Sequence, residues 1–299
     1  MALIPPHYLN AVASIEVDYV GEDGKTYRNS IATGFLLGTP QGKKNEQGNE
    51  LYNVSFVTNR HVYEDKRSGK KLEKVFLKFN KMNGVGHYFE VDLLKEDGVP
   101  IWFKHKNDLV DIAIFPIDTS VFKSAEIAWH FFNSTDLFFA KDFSVNNIAI
   151  GDGLFVLGFP MGINGKAKNS VIARHGIIAR VDDEVLDNHY YYIDASAYPG
   201  NSGGPVIHKP EVVAITGTSS NSSAGLIGVI SSGETYSEIA ISKQTGEPRI
   251  IFTEQTGLVR VVPIESVVET IDDFITAKKT ETANLKKAEE PNNTKDVTL

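Results

Sequence analysis

Ser202 sits in Tyr198-Pro-Gly-Asn-Ser-Gly-Gly-Pro-Val206, a turn in which glycines crowd one hydroxyl. Gly200, Gly203 and Gly204 leave no side chain to obstruct a substrate, and glycine takes the positive-φ conformations that a sharp loop demands. The N–H groups of Gly200 and Ser202 can then point into one small space beside the hydroxyl. That is the geometry of an oxyanion hole, where negative charge collects on a carbonyl oxygen after attack. A base for such a serine lies upstream in Phe56-Val-Thr-Asn-Arg-His61-Val62, at the end of an apolar, β-prone run. An acid lies between them in Asp108-Leu-Val-Asp111-Ile-Ala-Ile-Phe-Pro-Ile117. Asp111 opens the apolar run, where a buried carboxylate needs a partner to offset its desolvation. Asp108 is the rival, with a role in capping the preceding turn. A nucleophile, a base and an orienting acid together describe acyl transfer.

His61, Asp111 and Ser202 follow one another at separations of 50 and then 91 positions. Of the three chain orders in which this triad occurs, His-Asp-Ser is that of the chymotrypsin fold. The chain resembles the trypsin-like serine peptidases, and among them the HtrA/Deg-like bacterial branch. Asp194-Ala-Ser-Ala-Tyr-Pro-Gly-Asn-Ser-Gly-Gly-Pro205 is close to that branch's serine motif, Thr58-Asn-Arg-His61-Val62 to its histidine motif and Asp111-Ile-Ala-Ile to its aspartate motif. Weaker echoes are Thr33-Gly-Phe-Leu-Leu37 and Val156-Leu-Gly-Phe-Pro160. Gly228-Val-Ile-Ser-Ser-Gly233 looks like the strand that pairs with bound substrate and lines the specificity pocket. The likeness runs from about Ser14 to Ile264.

The resemblance implies roles. Ser202 attacks an amide or ester carbonyl, His61 takes its proton and passes it to the leaving amine, and Asp111 holds the imidazole tautomer. Ser196 lies at the base of the primary pocket and Gly233 at its mouth, with Ser231 and Ser232 along the substrate strand. A neutral serine offers no counter-charge to Lys or Arg, so a small or apolar residue is the expected preference. Tyr198 either narrows the pocket entrance or packs on the barrel; Glu234 or Glu238 would change the preference if either reached the pocket. Asn201 replaces the aspartate that secreted relatives pair with a freed N-terminal amine. Activity is therefore expected to need no N-terminal processing, and to answer to loop ordering or a regulatory protein partner.

Composition narrows the class. With 299 residues, 41% of them hydrophobic, the chain can bury a substantial core. A net charge of −8 and no basic stripe argue against nucleic acid or an anionic membrane surface as partner. The absence of cysteine excludes disulfides and points to a reducing, cytoplasmic setting. The N-terminus lacks the pattern of a secretory signal, and no run of apolar residues is long enough to span a bilayer. His7, His87, His105, His130, His175, His189 and His208 show no carboxylate pairing at ligand spacing, so no metal is expected, and no phosphate-binding loop implies a cofactor.

Positioning such a site falls to an all-β chain with two six-stranded antiparallel barrels and a C-terminal helix. Alternating patterns predict strands at Ala13 to Val20, Asn29 to Leu37, Leu51 to Thr58, Lys74 to Phe79, His87 to Leu93 and Asp111 to Ile117, forming a first barrel over about 13–118. A polar loop is expected from Gly38 to Glu50, and an aromatic-rich crossover from Thr119 to Asn147. The second barrel, about 150–262, takes Gly153 to Gly158, Asn169 to Val181, Tyr190 to Asp194, Gly204 to His208, Val212 to Thr216 and Gly225 to Ser231. Residues 1–262 thus read as one peptidase domain. Behind Pro263, apolar residues at helical spacing predict a helix over 263–277, followed by a disordered tail over 278–299 with no room for the PDZ domain usual in the HtrA/Deg family. The expectation is a serine endopeptidase acting on exposed peptide segments. The alternative is a latent peptide-binding scaffold awaiting a partner or trigger.

Overall fold

The computed structural model describes residues 3–211 and 213–289. Thirteen strands and a terminal helix form two β lobes. The N-terminal lobe holds β1 (Val12–Val20), β2 (Thr26–Lys44), β3 (Glu50–Thr58), β4 (Lys74–Asn80), β5 (Gly86–Asp92), β6 (Phe103–Lys104) and β7 (Ala113–Pro116). Their order is β5-β4-β1-β2-β3-β7-β6, seven strands where six were expected, with two-residue β6 as an edge. The C-terminal lobe closes as a six-stranded barrel: β10 (Tyr191–Ala195), β13 (Pro248–Pro263), β12 (Gly225–Ile241), β11 (Pro205–His208), β8 (Gly153–Gly158) and β9 (Ile172–Arg180).

Period-2 alternation builds each lobe's core. Leu36, Phe56, Leu77, Phe79 and Phe115 meet inside the first lobe, and Val156, Ile178, Tyr191, Ile193, Val206 and Val261 inside the second. A third cluster joins the lobes: Tyr8, Val12, Phe35, Val57, Ile112, Phe132, Leu157, Phe159 and Val229. Short helices α1 (Arg60–Tyr63), α2 (Ser120–Ser124) and α3 (Asp183–Asp187) punctuate the loops. The aromatic crossover is packing: Phe132 is fully buried and its backbone exchanges hydrogen bonds with Leu36 and Gly38 of β2.

Three elements depart from the expectation. The segment from Gly38 to Glu50 is not a loop; β2 and β3 continue pairing from Gly38↔Val54 to Lys44↔Glu50, closed by a turn at Asn45–Asn49. Residues 213–216 form no strand, and Val212 lies outside the described residues. The physical reason is that β11 already has β12 on one edge and β8 on the other, so a further strand has no ladder to join. The sixth strand is instead β13. It pairs with β12 far beyond the barrel, to Ile241↔Pro248, as a projecting two-stranded arm. Finally, α4 (Ile264–Glu289) runs twelve residues past the expected end at Ala277, so 278–289 is helix and not tail; residues 290–299 lie outside the described residues. Among the described residues no helix is long and apolar enough to cross a membrane.

Helix α4 buries Ile264, Val267 and Ile271 against both lobes and exposes its later turns. Ile271→Ala should therefore cost about 2–4 kcal/mol in urea unfolding, the cost of a buried cavity. Thr282→Ala, on an exposed turn of the same helix, should stay within about 0.5 kcal/mol of the parent.

Candidate active site

His61 lies on α1, directly after β3, because Asn59 fastens that turn: its side-chain Nδ2 donates to the Asp111 carbonyl at 2.8 Å. Asp111 precedes β7, which pairs with β3, so the two residues arrive side by side. The His61 ring Nδ1 is 2.6 Å from Asp111 Oδ2, and the His61 backbone N–H donates to Oδ1 at 3.1 Å. A third donor comes from the other lobe: Ser231 Oγ on β12 donates to Oδ2 at 3.0 Å. Lys66 Nζ stands 3.7 Å from Oδ1. Asp108 is elsewhere, solvent-exposed and held by Arg60 Nη1 and Lys104 Nζ, both at 2.7 Å.

Burial by itself would raise the Asp111 pKa. The His61 hydrogen bond, with the charges of His61 and Lys66 and the His61 N–H, outweighs it and holds the carboxyl down at about 2. The carboxylate is thus ionised, buried and saturated with donors.

Ser202 reaches this pair from the turn between β10 and β11. It lines one cleft of about 460 Å³ with His61, Lys66, Asp111, Tyr198 and Ser231. Among the described residues its hydroxyl makes no hydrogen bond with the His61 ring; such contacts commonly tighten only when substrate binds. Gly200 and Gly203 both take positive φ, +99° and +79°, and a Cβ on either would strike backbone oxygens at 2.2 Å.

The peptide before Gly200 has a fixed orientation. The Pro199 carbonyl accepts from the Met161 N–H at 2.6 Å, and the amide on the opposite side of that planar unit, Gly200 N–H, faces away from Met161. Thr33 anchors the next unit, its Oγ1 donating to the Gly200 carbonyl at 2.7 Å while accepting from Phe159 N–H at 3.2 Å. Neither Gly200 N–H nor Ser202 N–H has an acceptor among the described residues. Two amides beside one hydroxyl can receive a developing oxyanion.

A smaller cavity of about 90 Å³ adjoins the cleft, lined by Ser196, Ala197, Tyr198, Gln255, Gly257 and Leu258 among others. It contains no charged side chain. Tyr198 is part exposed with the Arg174 guanidinium 5.3 Å from its ring centre, so it borders this cavity and does not pack into the barrel. Ser231, Ser232 and Gly233 all line the cleft, and Ser231 also donates to Asp111. Glu234 pairs with Arg260 and accepts from Tyr192 Oη at 3.2 Å, and Glu238 accepts from Tyr236 Oη at 3.0 Å. Neither glutamate lines either cavity.

Two site residues escape a reading of the sequence. Lys66 has no motif around it. Gln255 lies 53 positions beyond Ser202 and enters the cleft only because the arm folds its own base across Gly233. His105 also gains a partner the spacing hid, with Glu269 Oε2 of α4 3.4 Å from its Nε2.

A nucleophile turn, a histidine and a buried aspartate gathered between two β lobes define the trypsin-like class. The model of the trypsin-like peptidase domain family matches residues 32–215, more than half of the chain, and the protein belongs to that family. A serine protease HtrA-like protein of Staphylococcus aureus (strain bovine RF122 / ET3-1) is 36% identical over 75 residues, which is 21% of this chain and 9% of that protein. This chain therefore matches about a tenth of that relative's length. Among solved structures, the protease domain of MamO from Magnetospirillum magneticum in its apo form aligns with 88% of this chain and 96% of its own, at a TM-score of 0.42 and 14% identity.

Two outcomes test this geometry. Thr33→Val keeps the side-chain shape but removes the hydroxyl that donates to the Gly200 carbonyl and accepts from Phe159 N–H. It should lower kcat for an ester substrate about tenfold or more with little change in KM, the mark of an interaction made only in the transition state. The Asp111 carboxyl has a folded pKa below its unfolded value, so its contribution of about 2 kcal/mol is present above pH ~4 and lost as pH falls toward 2. The stability gap between the parent and Asp111→Asn, from urea unfolding, should shrink over that range.

Proposed function

We propose that the protein is a serine endopeptidase in which Ser202, His61 and Asp111 act as nucleophile, general base and orienting acid. The observation that carries this reading is the Asp111 carboxylate, gripping the His61 ring at 2.6 Å while the opposite lobe's Ser231 donates to the same oxygen. A merely structural histidine needs no such bond beside a serine flanked by unpaired amides.

The chemistry follows by role. Ser202 Oγ attacks the peptide carbonyl as His61 Nε2 removes its proton. The C=O electron pair moves onto oxygen, where the Gly200 and Ser202 N–H groups donate to it. As the tetrahedral species collapses, the C–N bond breaks and the imidazolium hands its proton to the departing amine. Water then repeats the sequence on the acyl-enzyme, with His61 again accepting the proton, and releases the acid. Asp111 stays ionised throughout and stabilises the imidazolium.

The cavity at the base of the arm favours a small, uncharged side chain before the scissile bond. About 90 Å³ holds roughly three water volumes, and Ser196 and Gln255 provide dipoles but no counter-charge. The substrate class is therefore an exposed protein segment cut after a small or apolar residue.

Labelling by a fluorophosphonate probe tests the reading. The intact protein should label, Ser202→Ala should not, and His61→Ala should label at least about a hundredfold more slowly. An intact chain that fails to label while remaining folded overturns an assembled nucleophile and leaves the latent scaffold as the better account.

A further inference from the structure

The arm of β12 and β13 has no role in the barrel, yet its edge leads directly to Ser202. One edge of β12 pairs with β13 from Gly228 to Ile241. The other pairs with β11 only as far as Pro205↔Val229. Ile230 closes that contact, donating to the Gly204 carbonyl and accepting from the Gly203 N–H. From Ser231 to Ile241 this second edge has no strand partner among the described residues. Ser231, Ser232 and Gly233, its first three residues, line the catalytic cleft. The remainder, Glu234 to Ile241, extends outward by about 25 Å at the usual rise of a strand.

We propose that the arm's free edge from Glu234 to Ile241 continues the substrate strand beyond Gly233 as a docking strip, on which the residues further upstream of the scissile bond add as an antiparallel strand. The proposal rests on the peptidase reading for its chemistry but not for its binding geometry. Direction comes from β11. That strand leaves the Ser202 turn antiparallel to β12 and occupies the same edge below Val229. A peptide lying on the free edge in the same sense descends the arm and delivers its carbonyl to Ser202. The segment that becomes the acyl group on Ser202 therefore lies along the arm.

Side chains and edge chemistry agree. Tyr236 and Phe252 lie on one face of the arm and Ile239 and Ile251 on the other, each more than half exposed. Among the described residues nothing covers these side chains. Free strand edges are usually blunted with Lys or Pro. From Ser231 to Ile241 β12 carries no Lys, Arg or Pro, whereas β13 begins its arm segment with Pro248-Arg249. The outer edge of β13 leads down to β10, through Asp194↔Leu258, and not to the catalytic cleft. The edge free of Pro, Lys and Arg is the one that meets the cleft, as strand addition requires.

The test uses two peptides with alanine before the scissile bond, one with about four preceding residues and one with about twelve alternating Val and Thr. Binding to Ser202→Ala is read by fluorescence anisotropy. The longer peptide should bind at least about tenfold tighter, and cleavage by the active chain should show a matching gain in kcat/KM. Removing Glu238 to Phe252 and joining Ser237 to Thr253 through Asn-Gly keeps the hairpin register. That shortened chain should lose the length advantage while fluorophosphonate labelling is unchanged.

Should the shortened chain fail to fold, Ser237→Pro and Glu238→Pro replace it. Only the proline that replaces a residue whose N–H faces the free edge should abolish the advantage with the fold intact. Equal affinity for both peptides, or an advantage that survives shortening, overturns the proposal. So does a full-length dimer that becomes monomeric on shortening with no length effect, since the arms then pair with each other. A length-dependent affinity without any cleavage sustains the docking strip and overturns the peptidase reading instead.

Discussion

A buried carboxylate cannot stay ionised without partners, and that constraint organises the centre of this molecule. Asp111 is within the fold, and its negative charge is held by the His61 ring, the His61 amide and the Ser231 hydroxyl, with Lys66 nearby. These donors come from α1 and from β12, which belong to different lobes. Satisfying one charge therefore sets how the lobes meet and which way the imidazole faces. The apolar contact of Phe35, Val57, Leu157 and Val229 presses the lobes together, but it has no directionality of its own. Direction comes from the hydrogen bonds.

The oxyanion turn obeys a similar logic at shorter range. Glycine at 200 permits the backbone conformation, but permission is not specification. Thr33 from β2 and the Met161 amide grip the carbonyls on either side of that glycine. The first lobe thus orients the second lobe's Ser202 turn, just as the second lobe's Ser231 steadies the first lobe's aspartate. Each lobe supplies what the other's candidate site residue lacks.

Around that centre the fold is free to vary where packing does not constrain it. The β12–β13 arm keeps strand pairing well past the barrel, since backbone hydrogen bonds need only a partner strand and not a core. Its base folds Gln255 over Gly233 and so trims the pocket beside Ser202. One arm thereby shapes the small pocket and carries the edge that leads to the neighbouring cleft.

The residues proposed to carry the chemistry stand out in the amino-acid sequence, because His61, Asp111 and Ser202 each sit in a local pattern that the backbone requires: a strand end, the start of an apolar run, a glycine turn. The core strands were legible for the same reason, since a half-buried strand must alternate. The arm was not, because Glu234 to Gln255 has solvent on both faces and no core to impose a period. Nor was the continuation of α4 past Ala277 legible, where the exposed residues 278–284 carry on a helix that the pattern had stopped marking. Asp108 and Asp111 stood as rivals until β3 and β7 paired and brought one of them to His61. Ser231, Lys66, Gln255 and Thr33 owe their places to contacts across tens to hundreds of residues. The sequence by itself determined which residue types could carry the proposed chemistry, through local patterns. Only the tertiary structure decided which distant donors would hold that chemistry in place, because a buried charge and a bent peptide find their partners in space and not along the chain.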